Sequence, residues 1–379
     1  MMIDNLLLLL FLLLLIHYLL FLFRVYSGLK KLSSDSQKKI PDEFVSVLIP
    51  FRNEERNILQ VLKSVESQDY PSDKFEVIFI DDNSVDKSKE LLEKNISRNN
   101  IRVITVPDDY SVNAHKKRAI RFGIENSKGE IIVTTDADCI HKKSWLKTLL
   151  SFFDDKTGFV SGPVKFFEGK SLFSRLQELE FAGLVTTGAG LIGSNNPTIC
   201  NAANITYRRK VFDLVGGFSL QMNLSSGDDE LLMQKVFRDT EFKIKFALDK
   251  NAIVETEPNK SLKNFYQQRK RWASKGLFYK NKMLVLKLVL IYLFYISFVI
   301  QPILGLIVDF KFLISFIISF IAKMLVEFLI LKKGIELLFD KKILNVFLLA
   351  ELFHIPYIVI AGISGALGNY KWKDRTIRR

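Results

Sequence analysis

Four long apolar runs, one at the start of the chain and three at its end, decide what this sequence can fold into. Residues 6–23 are apolar except for His17 and Tyr18, close to the ~20 residues a helix needs to cross the hydrocarbon of a bilayer. No Lys or Arg precedes the run and no small-residue cleavage site follows it, so an anchor helix is expected rather than a cleaved signal peptide. The flank Arg24, Lys30, Lys31, Lys38 and Lys39 is basic and belongs on the cytoplasmic side, which places the following residues inside the cell. Apolar character returns after Lys282, in residues 283–308, 310–331 and 343–367. Three C-terminal crossings would put the basic tail, Lys371, Lys373, Arg375, Arg378 and Arg379, outside. Either the charge rule fails here or one stretch does not cross, and the last, with Pro356, Gly362 and Gly365, is the best candidate for a broken or re-entrant segment.

The formal net charge of +13 is explained mostly by Lys and Arg beside these runs, so nucleic acid is not an expected partner. Cys139 and Cys200 are the only cysteines, too few for a disulfide framework and in keeping with a reducing compartment. The glycosylation sequons at Asn95, Asn204 and Asn223 are inert on a cytoplasmic domain.

Between the apolar parts the pattern alternates. Residues 44–50 (FVSVLIP) form a short β-branched run, followed by Asn53-Glu54-Glu55 as a helix start ahead of the Ile58, Leu59, Leu62, Val65 stripe. The cycle repeats with strands at 75–80, 101–106 and 130–135, and helices at 86–92, 115–124 and 142–153. Such alternation predicts a mostly parallel sheet covered on both faces. Ligands of such sheets bind at the carboxyl ends of the strands. Arg52, Asn53 and Glu54, then Asp81-Asp82-Asn83-Ser84, then Asp136-Ala137-Asp138 all fall there.

Carboxylates gathered on one edge repel one another unless they hold a cation, and Mg²⁺ is usually bound by one or two carboxylates together with substrate phosphates. That combination points to a nucleoside diphosphate. A zinc set from Asp136, Asp138, Cys139 and His141 packs four ligands into six residues and does not easily close a tetrahedron. Residues 188–193 match G-x-G-x-x-G but follow a helix-like run, so the dinucleotide context is missing.

Four segments together resemble glycosyltransferase family 2, and within it the membrane-embedded branch of cellulose, hyaluronan and poly-N-acetylglucosamine synthases and ceramide glucosyltransferases. They are VSVLIPFRNEE at 45–55, VIFIDDNSVDKS at 77–88, TTDADC at 134–139, and the pair GDDELL at 227–232 with QRKRW at 268–272. The resemblance implies an A-type, Rossmann-like mostly parallel α/β fold with one N-terminal and about three C-terminal transmembrane helices. The domains expected are an anchor over 1–24, a juxtamembrane linker over 25–43, a cytoplasmic catalytic domain over 44–260, an amphipathic interface helix over 261–282, and a C-terminal membrane region over 283–379.

It further implies a nucleoside pocket of Pro50, Phe51, Arg52 and Glu54 with Asp82, Asp81 being the alternative carboxylate. Asp136 and Asp138 resemble the D-x-D pair that holds a divalent metal, Mg²⁺ or Mn²⁺, and the donor's ribose and diphosphate. Lys116 stands where the family has a Lys, although His115 and Arg121 depart from the family's Gly and Asn beside it. Asp229 takes the position of the general base that removes the acceptor's proton, with Asp228 next to it. Arg271 would neutralise the leaving diphosphate, beside Gln268, and Trp272 would face a sugar. Asn201 and Asn204 are candidate sugar contacts, against the plainer role of turn caps.

The implied activity is inverting transfer from a nucleotide-sugar, a UDP-sugar in the first instance, to a lipid or glycan hydroxyl at the inner membrane. A processive synthase exporting its product through its own helices is the alternative within the family. An inactive nucleotide-binding scaffold is the alternative outside catalysis, and other envelope-biosynthesis proteins are candidate partners. Within the apolar runs, Lys323 and Glu327 lie one helical turn apart, as do Glu351 and His354. Their neighbours would be a polar headgroup, a glycan or one another.

Overall fold

A computed structural model describes residues 2–32, 40–110, 115–218, 227, 229–274, 276, 279–367, 370–372 and 375–377 of the 379-residue chain. Asp228, the sequon at Asn223 and the basic residues Lys38, Lys39, Lys373, Arg378 and Arg379 lie outside the described residues. The chain divides into two compact units. One comprises Met1–Ser27, Lys170–Thr186 and Asn259–Arg379, the other Gly28–Gly169 and Thr187–Pro258.

The second unit is the alternating α/β body. Strands β1 (Val45–Phe51), β2 (Phe75–Asp81), β3 (Ile101–Thr105) and β4 (Ile131–Thr134) are separated by helices α2 (Ile58–Glu66), α3 (Ser88–Asn95) and α4 (His115–Glu125), after α1 (Met2–Lys31). There follow β5 (Ile140–His141), α5 (Trp145–Leu150), β6 (Thr157–Ser161), β7 (Val164–Phe166), α6 (Leu172–Gly193), β8 (Ile205–Arg208), α7 (Arg209–Leu214), α8 (Glu230–Asp239), β9 (Lys243–Phe246) and β10 (Val254–Thr256). The main sheet has the order β3-β2-β1-β4-β8-β6-β9. β1 to β4 are parallel, and β8 runs antiparallel to both β4 and β6. Every residue of β2 is buried, as a parallel strand covered on both faces must be, and this is why its sequence reads as a nearly unbroken apolar run.

A smaller sheet, β5-β10-β7, joins segments more than a hundred residues apart. The G-x-G-x-x-G segment lies inside α6, as its missing strand context predicts. Its glycines serve close packing. A Cβ on Gly193 would stand 2.3 Å from the Gly28 carbonyl oxygen, and one on Gly188 2.8 Å from that of Ile199.

The first unit contains the apolar helices α1, α10 (Lys282–Ile307), α11 (Lys311–Leu338) and α12 (Phe347–Leu367), the polar, basic helix α9 (Leu262–Ala273), and a short hairpin of β11 (Tyr370–Trp372) and β12 (Arg375–Ile377). Among the described residues, four segments are long and apolar enough to cross a membrane: Met2–Lys31, Lys282–Ile307, Lys311–Leu338 and Lys341–Gly365. The chain is thus an α/β fold with one N-terminal and three C-terminal candidate spans. The last stretch is not broken. After a 3-10 turn, Lys341–Val346, α12 runs without interruption through Pro356. Gly362 and Gly365 admit neighbours rather than end the helix, since a Cβ there would meet the Tyr292 ring at 2.2 Å and the Ala273 Cβ at 2.6 Å. Aromatic packing joins the spans: Tyr18 stacks on Phe294 at 4.5 Å, and Phe11 meets Phe312 edge-on at 6.2 Å.

Candidate active site

The register of the central strands brings the acidic segments to one edge. Phe51 is opposite Asp81 across β1 and β2, and Leu48 is opposite Thr134 across β1 and β4. The loops beginning at Arg52, Asp82 and Thr135 therefore leave the sheet together, beside β1, where the strand order turns from β2 to β4. Because β8 is antiparallel with Ile205 opposite Thr134, the 3-10 turn Ala202–Asn204 arrives at this same edge.

The loops after β1 and β2 are sewn to each other. Arg52 Nη1 donates to the carbonyls of Asp82 and Asn83 at 2.5 and 2.7 Å. Asn53 Oδ1 accepts from the Val85 amide at 2.9 Å, and Ser88 Oγ from the Glu54 amide at 2.8 Å. Asn53 and Asn83 take φ of 54° and 59°, a left-handed conformation that Asn tolerates better than most residues. Pro50 lies within β1, and the Phe51 side chain is core, edge-on to Phe79 at 6.5 Å. Asp81 and Asp82 are both buried. Asp81 Oδ1 accepts from the Ser84 amide at 2.9 Å, closing the turn.

At the end of β4, Lys116 Nζ of α4 forms an ion pair with Asp136. Asp136 is half-buried and Asp138 exposed. Two carboxylates two residues apart, with an ammonium on one, suit a hard cation whose remaining ligands are phosphate oxygens. Cys139 is buried, and burial pushes its thiol well up. His141 points into the core, bonded to Ser64 Oγ through Nδ1 and to Thr135 Oγ1 through Nε2, both at 2.8 Å, with Trp145 packed at 4.2 Å. Burial pushes its pKa down to about 3. Both ring nitrogens are engaged with hydroxyls, which disposes of the zinc set.

Asn204 is fully buried, and its side chain is consumed. Nδ2 donates to the carbonyls of Pro163 and Ala252 at 2.8 Å, and Oδ1 accepts from Trp145 Nε1 at 3.0 Å. Asn201 Oδ1 caps the turn by accepting from the Ala203 amide at 3.0 Å. Both asparagines thus do structural work.

Asp229 caps α8, its Oδ1 accepting from the Glu230 amide at 2.7 Å. Its Oδ2 accepts from the Ala202 amide at 3.0 Å, while Thr134 Oγ1 donates to the Ala202 carbonyl at 3.3 Å. The start of α8 is thereby held beside the end of β4. Asp228 lies outside the described residues.

In the first unit, α9 carries Gln268, Arg271 and Trp272 and is capped by Ser261, whose Oγ accepts from the Asn264 amide at 3.2 Å. The residue that sequence reasoning passed over is Arg269, which is 2% exposed. Its guanidinium grips Glu180 of α6 through two nitrogens and also donates to Gln268 Oε1. Tyr357 of α12 donates to the same Glu180 at 3.0 Å. The guanidinium carbon stands 4.3 Å from the Trp272 ring and 4.4 Å from that of Phe265. Phe181 stacks on Trp272 at 6.2 Å, so part of the indole surface is already covered. Only the Arg-Lys-Arg run in QRKRW hinted at Arg269; nothing local marked Glu180 or Tyr357 as its partners.

A cavity of about 750 Å³ lined by Tyr70, Lys74, Arg98 and Lys147 lies by the amino ends of the strands, away from these groups.

Residues 46–216 match the family model described as Glycosyl transferase family 2. The chain is 27% identical over 244 residues to a protein named Probable glycosyltransferase YdaM of Bacillus subtilis, covering 63% of this chain and 56% of that one. It is 30% identical over 152 residues to the Undecaprenyl-phosphate 4-deoxy-4-formamido-L-arabinose transferase of Edwardsiella ictaluri, covering 39% and 46%. The chain spans about half the length of these curated relatives. Among solved structures it is similar to the mannosyltransferase PcManGT from Pyrobaculum calidifontis in complex with GDP-Man and Mn²⁺, with a TM-score of 0.57, 17% identity, and 94% and 97% of the two chains covered. That likeness is one of fold.

Proposed function

Because this chain carries a glycosyltransferase family 2 domain, at residues 46–216, we propose that it moves a sugar, with inversion, from a UDP-sugar to the hydroxyl of a membrane lipid. The observation that carries this reading is the meeting at one sheet edge of the Asp136–Lys116 pair and the backbone-held carboxylate of Asp229.

The loop of Arg52 and Glu54, with Asp82 and Asp81 behind it, binds the nucleoside, the backbone of Pro50 and Phe51 lining its edge. Asp136 and Asp138 hold Mg²⁺ or Mn²⁺, which when bound offsets the diphosphate's charge as the glycosidic bond breaks. Lys116 adds a cation beside Asp136. Asp229 takes the acceptor's hydroxyl proton as the new bond forms on the opposite face of the anomeric carbon. Its two backbone donors fix the direction of its lone pairs without occupying all of them. Asp228 adds a second carboxylate to the start of α8. By the family resemblance alone, Arg271 is assigned the charge of the departing diphosphate, and Gln268 and Trp272 the sugar side. The catalytic domain is cytoplasmic and the membrane is the cell's inner membrane, in keeping with the basic flank after α1.

A lipid acceptor is favoured over a long polymer because four spans are few for a self-contained channel. A relative whose name includes undecaprenyl-phosphate, a membrane lipid, supports a lipid partner. The test is transfer of radiolabel from a panel of nucleotide-sugars into membranes containing the full chain, with and without EDTA, partitioned between organic solvent and a high-molecular-weight fraction. EDTA-sensitive label in the organic phase is expected. Label in polymer would replace the lipid acceptor with a growing glycan, and no label from any donor would overturn the assignment.

A further inference from the structure

Near the midpoints of the four candidate spans, six polar side chains meet: Tyr18 of α1, Tyr295 of α10, Lys323 and Glu327 of α11, and Glu351 and His354 of α12. Lys323 is fully buried, with Nζ 3.0 Å from Glu327 and 2.6 Å from Glu351. Glu327 also accepts from Tyr18, stands 3.4 Å from the Tyr295 hydroxyl, and lies 3.7 Å from His354 Nδ1. The charges do not balance. Lys323 Nζ also stands 3.5 Å from His354 Nδ1, so a proton on that nitrogen would set two cations against each other; with the imidazole neutral, two carboxylates face one ammonium, leaving one uncompensated negative charge at a depth where such a charge is costly.

A divalent metal is a poor remedy although Glu327, Glu351 and His354 are close enough to share one. The Lys323 ammonium already bonds to both carboxylates, and a doubly charged ion added to it would leave the cluster as far from neutral on the positive side. A single proton restores neutrality. It belongs on Glu351 rather than Glu327. Glu327 is bonded by an ammonium and a phenol with a second phenol and an imidazole close by, whereas Glu351 has Lys323 as its hydrogen-bond partner among the described residues.

We propose that Glu351 is an intramembrane proton-binding site, protonated at neutral pH, which exchanges its proton by way of His354. The imidazole is more exposed than the groups it touches, 27% against 11% or less for Lys323, Glu327 and Glu351. The bound proton keeps the centre of the helix bundle neutral, and its loss leaves a buried charge that loosens the junction of the four spans. The site stands independently of the sugar-transfer reading.

The test is infrared spectroscopy of the full chain in phosphatidylcholine–phosphatidylglycerol nanodiscs, titrated from about pH 6 to about pH 9. A carbonyl band of a protonated carboxylic acid is expected at neutral pH, fading as the pH rises and absent from Glu351→Gln. His354→Gln should keep the band and slow its shift on transfer to D₂O. Because Gln reproduces a protonated Glu in shape, Glu351→Gln should keep the wild-type melting temperature at neutral pH, while Lys323→Gln, which strips the cluster of its cation, should lose several degrees or more. The proposal is overturned if the band is missing at neutral pH or survives Glu351→Gln. It is equally overturned if Glu351→Gln melts as low as Lys323→Gln, or if purified wild-type protein holds stoichiometric zinc or manganese that Glu351→Gln lacks.

Discussion

The carboxylate of Asp229 accepts a hydrogen bond from the backbone amide of Ala202 at 3.0 Å. This links the N-cap of one helix to a turn almost thirty positions earlier. Ala202 is tied in turn to Thr134 at the end of β4. Through this pair of contacts a candidate base and a candidate metal-binding turn share one edge of the sheet.

Asp229→Asn tests the base directly. The amide keeps one oxygen for the Ala202 or Glu230 amide, so the helix cap should weaken by about 1 kcal/mol and the melting temperature should hardly move. Sugar transfer should fall by about 10²–10⁴-fold, the usual share of general-base catalysis, while UDP binding by calorimetry stays within a few-fold of wild type. Near-normal turnover would remove Asp229 from that role.

Metal dependence should separate Asp136 and Asp138 from their surroundings. With Mn²⁺ present, Asp136→Asn and Asp138→Asn should each weaken UDP binding by roughly tenfold or more, about 1.4 kcal/mol. Binding to wild-type protein in EDTA should be weakened to a similar degree. If the variants bind UDP as tightly as wild type with Mn²⁺, the metal is held elsewhere.

His141 gives the α/β unit a built-in acid sensitivity. Its folded pKa of about 3 lies below the ordinary value of 6.5, so the unfolded chain takes up a proton on this ring before the folded chain does. The stabilisation from a neutral, buried ring is full above about pH 6.5 and is lost as the pH falls toward about 3, a change on the order of a few kcal/mol. Acid melts of the full chain in detergent should show this loss, and His141→Gln should flatten that part of the profile. An unchanged acid profile in the variant would mean that other groups control it.

Arg269 and Glu180 should behave as one unit. Removing one partner leaves the other charge buried, so Arg269→Met or Glu180→Gln alone should cost about 3–5 kcal/mol, while the double variant should cost clearly less than the sum of the two. Tyr357→Phe, which removes only one donor to Glu180, should cost about 1 kcal/mol. Simple additivity in the double variant would show that the pair is not coupled.

Much of the architecture was legible in the residues themselves. Strands expected over 44–50 and 130–135 appear as Val45–Phe51 and Ile131–Thr134. The last helix of the series, expected over 142–153, is shorter at Trp145–Leu150. A buried parallel strand is an apolar run and an amphipathic helix is a periodic stripe, so both are written locally. Long apolar helices are legible for a similar reason, because crossing hydrocarbon demands length and composition rather than particular partners. The break weighed at Pro356, Gly362 and Gly365 is absent, because glycine also permits close approach and only the positions of the Tyr292 ring and Ala273 tell the two uses apart.

By itself the sequence determined the first alternating strands and helices, the four apolar runs and the acidic strand ends at which to look for chemistry. Tertiary structure alone decided which carboxylates meet. It placed β8 antiparallel beside β4, turned Asn204 and His141 inward as structural groups, and paired Arg269 with a glutamate 89 positions away. It also gathered Tyr18, Tyr295, Lys323, Glu327, Glu351 and His354 at one depth. The physical reason is that periodicity reports what each residue requires of its surroundings, buried or wet, charged or neutral. The particular partner that meets the requirement comes from distant chain and exists only after folding.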